Sequence, residues 1–288
     1  MYSKELESRI DTLLENRGIA GHTAADRFIS DFKSYLCYYD VTTNGNAEYT
    51  LTLLENDANL VSNTVLYSNF RTTFDDLIPE ILRQDIIFPL LFKKLIGSNG
   101  TAIGIGELAF PLIIAGYSFS NDSDGVLDNG AKVEIKKNGA SLKPVKTGLT
   151  DKGLVDKLNA KYFAGTAPGM KLPKKFDEHI ATVSDPSVYA DYFKELYVGC
   201  DTTELAKEIA ECYTDAVAFN TAVGKFALKN YKRVDGWNNI IYIDDEKMTL
   251  VNIADLTDID KLGLKFTPKF KRGGDTRAIA DGYVNVAI

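Results

Sequence analysis

The stretch SDGVLDNGAKVEIKK, residues 123–137, contains the strongest short signal for local structure in this chain. Two apolar runs flank Asn129-Gly130, and both of these residues tolerate the positive φ angles that a two-residue hairpin turn needs. The stretch therefore predicts a β-hairpin centred on Asn129. Such a hairpin restricts the fold strongly, because its turn determines which residues of the two strands face each other.

A turn centred on Asn129 determines the register of the two predicted strands. Residues equally distant from Asn129 lie opposite each other, so Asp124 faces Glu134, and alternation along the strand adds Lys136 to the same face. If the turn shifts by one residue, Asp124 becomes a diagonal neighbour of Glu134 and stays within reach of a shared ion. Asp128 is a rival for the role of Asp124, but its place in the turn separates it from Lys136, so we rank it second.

Two opposed carboxylates repel each other unless a cation lies between them. A divalent ion removes this repulsion, and Mg²⁺ prefers carboxylate, carbonyl and water oxygens. A lysine two residues after the strand glutamate can hold a water molecule or a phosphate oxygen, while the ion activates the water and offsets charge on the phosphate. The hairpin therefore predicts a site that hydrolyses phosphodiester bonds, with Mg²⁺ as its cofactor and Mn²⁺ as a substitute.

This arrangement resembles the core of the PD-(D/E)xK nuclease superfamily, in which an acid starts one strand and E-x-K follows on the paired strand. Restriction enzymes, Holliday-junction resolvases and many phage nucleases belong to that superfamily. Its members often add an acid on the helix before the hairpin, and Glu107 opens the apolar stretch LAFPLIIAGYSF, although Pro111 should kink or shorten a helix there. The resemblance implies that Glu107, Asp124 and Glu134 bind the metal and act with Lys136 in catalysis.

The remainder of the chain predicts helical blocks around this core and a β-rich end. We expect an α+β fold with a restriction-endonuclease-like α/β core, consisting of a helix and the E-x-K hairpin. Breaks in the pattern divide the chain into a helical N-terminal region (1–96), the core with a basic loop region (101–183), a helical segment (184–235) and a β-rich segment (236–288) that packs on the core. The helical segment is expected to contain one short helix and one longer helix from Asp201 through about Lys232.

Charge is unevenly distributed along the chain. The net charge is −7, but residues 131–175 contain eleven lysines and three acids, a balance of +8 that leaves −15 for the remainder. A basic segment favours an anionic partner, and we expect DNA, although a solvated lysine face is the alternative interpretation. The predicted contacts with the DNA backbone are Lys137, Lys143, Lys146 and Arg272.

Several other classes of protein are disfavoured by the sequence. Two histidines and three widely spaced cysteines disfavour both a Cys/His zinc site and a disulfide framework. The sequence lacks a run of eighteen apolar residues, so we expect no membrane partner. The N-terminal stretch lacks the apolar core of a secretory signal, so we expect a cytoplasmic location, or the virion for a phage-encoded protein.

Two other functions agree with the same sequence. An assembly component, such as a phage virion or neck protein, could retain a nuclease-like core, and its partners would be other assembly proteins or further copies of itself in a homo-oligomer. A DNA-binding module without catalysis predicts salt-dependent binding and no turnover.

Overall fold

The computed structural model of the chain describes residues 4–20, 25–98, 104, 106–120, 123–142, 154–163, 175–178, 180, 185–197, 199–212, 214–269 and 284–288. The α-helices in these ranges are α1 (Lys4–Asn16), α2 (Asp26–Thr43), α3 (Ala47–Glu55), α4 (Phe74–Leu77), α5 (Glu80–Arg83), α6 (Phe88–Ile96), α7 (Leu154–Phe163), α8 (Ser187–Leu196), α9 (Thr203–Cys212) and α10 (Ala216–Asp235). None of these described helices is both long enough and apolar enough to cross a membrane.

The β-strands of the described residues are β1 (Phe70–Thr73), β2 (Tyr117–Ser120), β3 (Ser123–Leu127), β4 (Lys132–Lys137), β5 (Ser141–Leu142), β6 (Asn239–Asp244), β7 (Thr249–Ile253), β8 (Lys265–Pro268) and β9 (Val284–Ala287). Short 3₁₀ helices span Asp57–Asn59, Asn63–Tyr67, Phe110–Leu112 and Ile259–Leu262. The fold is a mixture of helices and strands, which confirms the predicted α+β class.

The chain forms two compact units, and each of them combines residues that are distant in the sequence. Unit 1 consists of Met1–Asn138, Trp237–Leu262 and Ile288, and unit 2 consists of Gly139–Gly236 and Gly263–Ala287. The chain therefore leaves unit 1 directly after β4 and returns to it just before β6. All four predicted catalytic residues belong to unit 1.

Unit 1 contains a mixed sheet with the strand order β1-β7-β6-β4-β3-β2. Its central pair, β4 and β6, is parallel, and the other neighbouring strands are antiparallel. A parallel pair requires a long crossover connection, because the chain must return to the end of the sheet at which the first strand begins. Here the segment between β4 and β6 is this connection, and most of unit 2 lies within it.

One face of this sheet packs on the helices of unit 1. Val133 and Ile135 of β4 and Ile241 and Ile243 of β6 are buried in one cluster with the apolar residues of α1, α2, α3 and α6. Side chains alternate between the two faces of a strand, so the residues of β4 between these apolar positions lie on the opposite face. The core therefore determines the face on which Glu134 lies.

Unit 2 contains the antiparallel sheet β5-β9-β8 and helices α7 to α10. Its core is rich in aromatic side chains, and the rings of Phe176 and Phe193 lie 5.1 Å apart between centroids. Helix α10 approaches β8 closely, because a Cβ at Gly224 would lie 2.0 Å from Cγ of Phe266. Only glycine allows this approach between the backbone and an aromatic ring.

The predicted α-helix that would carry Glu107 is wrong. The chain forms turns at residues 106–109 and then the 3₁₀ helix Phe110–Leu112, and β2 begins at Tyr117 within the stretch predicted as helical. An α-helix here would require the Pro111 amide to donate to the Glu107 carbonyl, and proline has no N–H. Glu107 is held by a turn instead.

The predicted long helix from Asp201 through about Lys232 is two helices, α9 and α10. The side chain of Asp215 accepts hydrogen bonds from the backbone N–H groups of Val217 and Ala218, at 2.9 Å and 3.1 Å. This is the interaction of a helix N-cap, so a new helix begins after Asp215.

Candidate active site

The hairpin of β3 and β4 has the register that the sequence predicts. Gly125 lies opposite Val133 in the ladder, and the same register continued by one residue brings Asp124 opposite Glu134. The turn between the strands contains Gly130, whose φ of +81° is in the left-handed region that glycine adopts readily. The two acids therefore lie on neighbouring strands, one residue beyond the last pair of the ladder on each strand.

Asp124 lies near the start of β3 and is partly buried. Its Oδ2 accepts a hydrogen bond of 2.6 Å from the backbone N–H of Ile135. Burial raises the pKa of Asp124, and the Ile135 N–H and the charge of Lys136 act in the opposite direction. The side chain thus ties β3 to β4, and a carboxylate has a second oxygen with which to bind an ion.

Glu134 and Lys136 are adjacent on the same face of β4, as their spacing of two residues predicts. Glu134 is only 4% exposed, and Nζ of Lys136 donates to its Oε1. The lysine side chain is more accessible than the glutamate side chain, at 23% against 5%. A buried carboxylate needs such a partner, since an uncompensated charge in the interior is strongly unfavourable.

Glu107 is buried in the turn before the 3₁₀ helix. Its Oε1 accepts a hydrogen bond of 2.6 Å from the backbone N–H of Gly104, and a Cβ at Gly104 would lie only 2.4 Å from this oxygen. Burial and then the negative charge of Asp124 raise the pKa of Glu107 to about 7, while the Gly104 N–H and Lys136 lower it. Glu107 is therefore close enough for the charges of Asp124 and Lys136 to act on it.

The side chains of Asp124, Glu134 and Glu107 carry carboxylate oxygens, the type of ligand that a divalent cation such as Mg²⁺ prefers. Burial raises the pKa values of Asp124 and Glu107, and a cation between the carboxylates would favour their ionised forms. For Glu134 to bind an ion, it must exchange the ammonium group of Lys136 for the metal. Across the described residues, no group of three or more His, Cys, Asp or Glu side chains is already arranged to hold a metal ion.

Asp128, the rival for the role of Asp124, lies in the hairpin turn and is exposed. Its Oδ1 accepts a hydrogen bond of 2.9 Å from Nδ2 of Asn63. The neighbouring Asn129 donates from its Nδ2 to the hydroxyl of Tyr67, also at 2.9 Å. Both side chains therefore attach the turn to the 3₁₀ helix Asn63–Tyr67, and Asp128 has a structural contact there.

Of the predicted contacts with DNA, only Lys137 lies within the described residues. Its Nζ forms an ion pair with Asp245 at 3.1 Å, and the lysine side chain is exposed. Lys143, Lys146 and Arg272 lie outside the described residues, so their role stays a prediction.

Sequence reasoning missed Tyr117, the first residue of β2. The ring of Tyr117 lies across β3 at Gly125, where an added Cβ would be 1.9 Å from the hydroxyl oxygen. Burial, and then the negative charges of Asp124 and Glu107, raise the pKa of the Tyr117 hydroxyl well above its ordinary value. The available signal was Gly125 itself, since glycine within a strand often marks a close approach by another group.

Comparisons of the chain with protein-family models, curated proteins and solved structures gave no match. The resemblance to PD-(D/E)xK nucleases therefore rests on the residues and spacing of the hairpin. Function has to be inferred from the chemistry of the four residues and their neighbours.

Proposed function

We propose that this protein is a metal-dependent nuclease that hydrolyses phosphodiester bonds of DNA, as an endonuclease or an exonuclease. The observations that support the proposal are the hydrogen bond from the Ile135 N–H of β4 to the Asp124 carboxylate of β3 and the contact of Lys136 with Glu134 on β4. Glu107 adds a third acid whose pKa responds to both Asp124 and Lys136. In this proposal the core is restriction-endonuclease-like, and its E-x-K strand is β4.

The proposed ligands of Mg²⁺ are Asp124 and Glu134, with Glu107 completing the set. When bound, the ion would supply Lewis acidity, which activates a water molecule and offsets charge on the phosphate. If Glu134 held the ion, the ammonium group of Lys136 would be free to hold the attacking water or a phosphate oxygen. Burial raises the pKa of Glu107 to about 7, and a cation bound to it would lower this pKa again and keep Glu107 as a carboxylate ligand.

The test is cleavage of plasmid DNA and branched DNA with Mg²⁺ by the wild type and by Glu134→Ala and Lys136→Ala. Loss of either group should lower the rate by at least about a hundredfold, because each acts directly on the reacting atoms. Glu48→Ala is a matched control on the exposed surface of α3 and should leave the rate unchanged. Equal rates of cleavage by the wild type, Glu134→Ala and Lys136→Ala would contradict the proposal.

One observation favours the second candidate, an assembly or DNA-binding protein with a nuclease-like core and no catalysis. Each carboxylate already has a protein donor: Ile135 for Asp124, Lys136 for Glu134 and Gly104 for Glu107. Such a satisfied site could hold the hairpin together without a metal.

Calorimetric titration with Mn²⁺ separates the two candidates. The nuclease proposal expects binding by the wild type and a loss of binding in Asp124→Asn, because the amide removes one negative ligand. A purely structural core expects no binding by either protein. A DNA-binding module expects salt-dependent DNA binding and no cleavage.

A further inference from the structure

Cys200 of unit 2 lies in a small group of polar side chains that is rich in hydrogen-bond donors. Its thiol donates to Oδ1 of Asn230, with Sγ and the oxygen 2.6 Å apart. Nη2 of Arg233 donates to the same oxygen at 3.1 Å and to the Cys200 sulfur at 3.2 Å. Among the described residues, the thiol and the guanidinium therefore share the amide oxygen of Asn230 as an acceptor.

The amide nitrogen of Asn230 is a donor that this group leaves without an acceptor. Asn230 lies on α10 and is 2% exposed, and its Nδ2 has no hydrogen-bond partner among the described residues. Nδ2 and Oδ1 are bonded to the same carbon, so Nδ2 lies within about 5 Å of the Cys200 sulfur. A buried N–H without an acceptor is unfavourable, because it has lost its contact with water. The free donor beside the sulfur therefore calls for an acceptor that the reduced thiol does not provide.

Arg233 places a positive charge against the same sulfur, and the pair is accessible from solvent. Cys200 is partly exposed and Arg233 is exposed. Reactive cysteines lie in such positively charged and partly exposed surroundings, because the thiolate is the nucleophile. Cys212 has the opposite surroundings, since burial and then the negative charges of three acids, Glu208 foremost, raise the pKa of its thiol.

We propose that Cys200 is a modification site that hydrogen peroxide oxidises to the sulfenic acid, whose oxygen accepts hydrogen bonds from Asn230 and Arg233. The thiolate sulfur attacks one oxygen of the peroxide, so that an S–O bond forms and the O–O bond breaks. Sulfur loses two electrons and the peroxide gains them, and the departing hydroxide takes up the proton of the thiol to become water. The new oxygen provides the acceptor that Nδ2 of Asn230 lacks. This site is separate from the proposed nuclease site, because its three residues belong to unit 2.

The experiment treats the wild-type chain with hydrogen peroxide, traps sulfenic acid with dimedone and quantifies each cysteine by peptide mass spectrometry. Cys37 and Cys212 are internal controls, since all three cysteines are free and partly exposed. Cys200 should be labelled at least about tenfold faster than either control, because it alone of the three has a guanidinium against its sulfur among the described residues. Labelling of Cys200 no faster than that of Cys37 overturns the proposal, and this comparison needs no variant.

Arg233→Met tests the positive charge at the sulfur. Its matched control is Arg83→Met, which replaces an exposed arginine on α5 of unit 1. Arg233→Met should slow the labelling of Cys200 about tenfold and leave Cys37 unchanged, whereas Arg233→Lys should keep most of the rate. Arg83→Met should leave the labelling of every cysteine unchanged. Equal labelling of Cys200 in the wild type and Arg233→Met overturns the proposal.

A crystal structure of the peroxide-treated wild type tests the part played by Asn230. The sulfenic oxygen should lie within about 3.2 Å of Nδ2 of Asn230. Asn230→Leu removes the donor and should shorten the lifetime of the sulfenic acid at least about threefold, measured by delayed addition of dimedone. An oxygen that points away from the amide, or an equal lifetime in the wild type and Asn230→Leu, overturns the proposed acceptor. The crystal structure decides this point even if Asn230→Leu does not fold.

Discussion

Glu107 should make the stability of the protein depend on pH between about 4.5 and 7. Its pKa rises from an ordinary value of 4.5 to about 7 in the folded protein, chiefly because the carboxyl is buried. In this window the folded state binds more protons than the unfolded state, so the free energy of unfolding falls as pH rises. Below pH 4.5 Glu107 is protonated in both the folded and the unfolded state. Above pH 7 it is ionised in both states, and the free energy of unfolding falls no further.

The size of the effect follows from the same two values. One pKa unit corresponds to about 1.4 kcal/mol, so a rise from 4.5 to about 7 corresponds to roughly 3 kcal/mol. Glu107 is 8% exposed, and solvent therefore screens only part of its charge. We expect Glu107→Gln to be more stable than the wild type by about 2 to 3 kcal/mol at pH 8 and nearly equal to it at pH 4.5.

Urea denaturation at several pH values between 4.5 and 8 measures this difference. Glu48→Gln, which replaces an exposed glutamate on α3, is the control for the loss of a carboxyl. Its free energy of unfolding should equal that of the wild type at every pH. Carboxyl carbon NMR gives an independent value, because the resonance that disappears in Glu107→Gln should titrate near pH 7. A wild type and Glu107→Gln that differ by the same amount at pH 4.5 and pH 8 would refute the reasoning.

Two further substitutions test the packing of the site. Lys136→Met should destabilise the protein by roughly 3 kcal/mol in urea denaturation, because it removes the ammonium group from buried Glu134. Glu134→Gln in the same chain should recover most of this loss, and equal stability of the single and double variants would contradict the ion pair. Gly125→Ala should cost about 1 to 3 kcal/mol in thermal denaturation, since its methyl group would overlap the ring end of Tyr117. Gly97→Ala, where the nearest atom lies 4.0 Å away, should be nearly neutral, and a neutral Gly125→Ala would disprove the close approach.

Much of the local structure could be predicted from the sequence because its causes are local. Asn129-Gly130 favours one turn, and that turn produced the observed register of Gly125 with Val133. Alternation of apolar and polar residues then assigned Glu134 to the face opposite the core. The C-terminal strands β6 to β9 also lie within residues 236–288, the segment predicted to be β-rich, and their β-branched and aromatic residues are typical of strands.

The two wrong helix predictions lie where the composition of a segment favoured a helix but one residue within the segment stopped it. The apolar run after Glu107 has the composition of a helix, but Pro111 removes the hydrogen bond that a helix would need. The run of helical residues after Asp201 contains Asp215, whose side chain can cap a new helix and does so. In both cases the residue that stops the helix was present in the sequence.

The parallel pairing of β4 with β6 and the chemistry of the acids depend on contacts between distant residues. The two strands are separated by the whole crossover, and a pattern within one strand does not specify such a partner. The raised pKa of Glu107 requires burial and the nearby charge of Asp124, which only the folded chain supplies. The hairpin sequence thus determined which side chains share a face, because turn geometry and alternation act over a few residues. Tertiary structure decided how deeply those side chains are buried and which charges reach them, because burial and electrostatics depend on the whole unit.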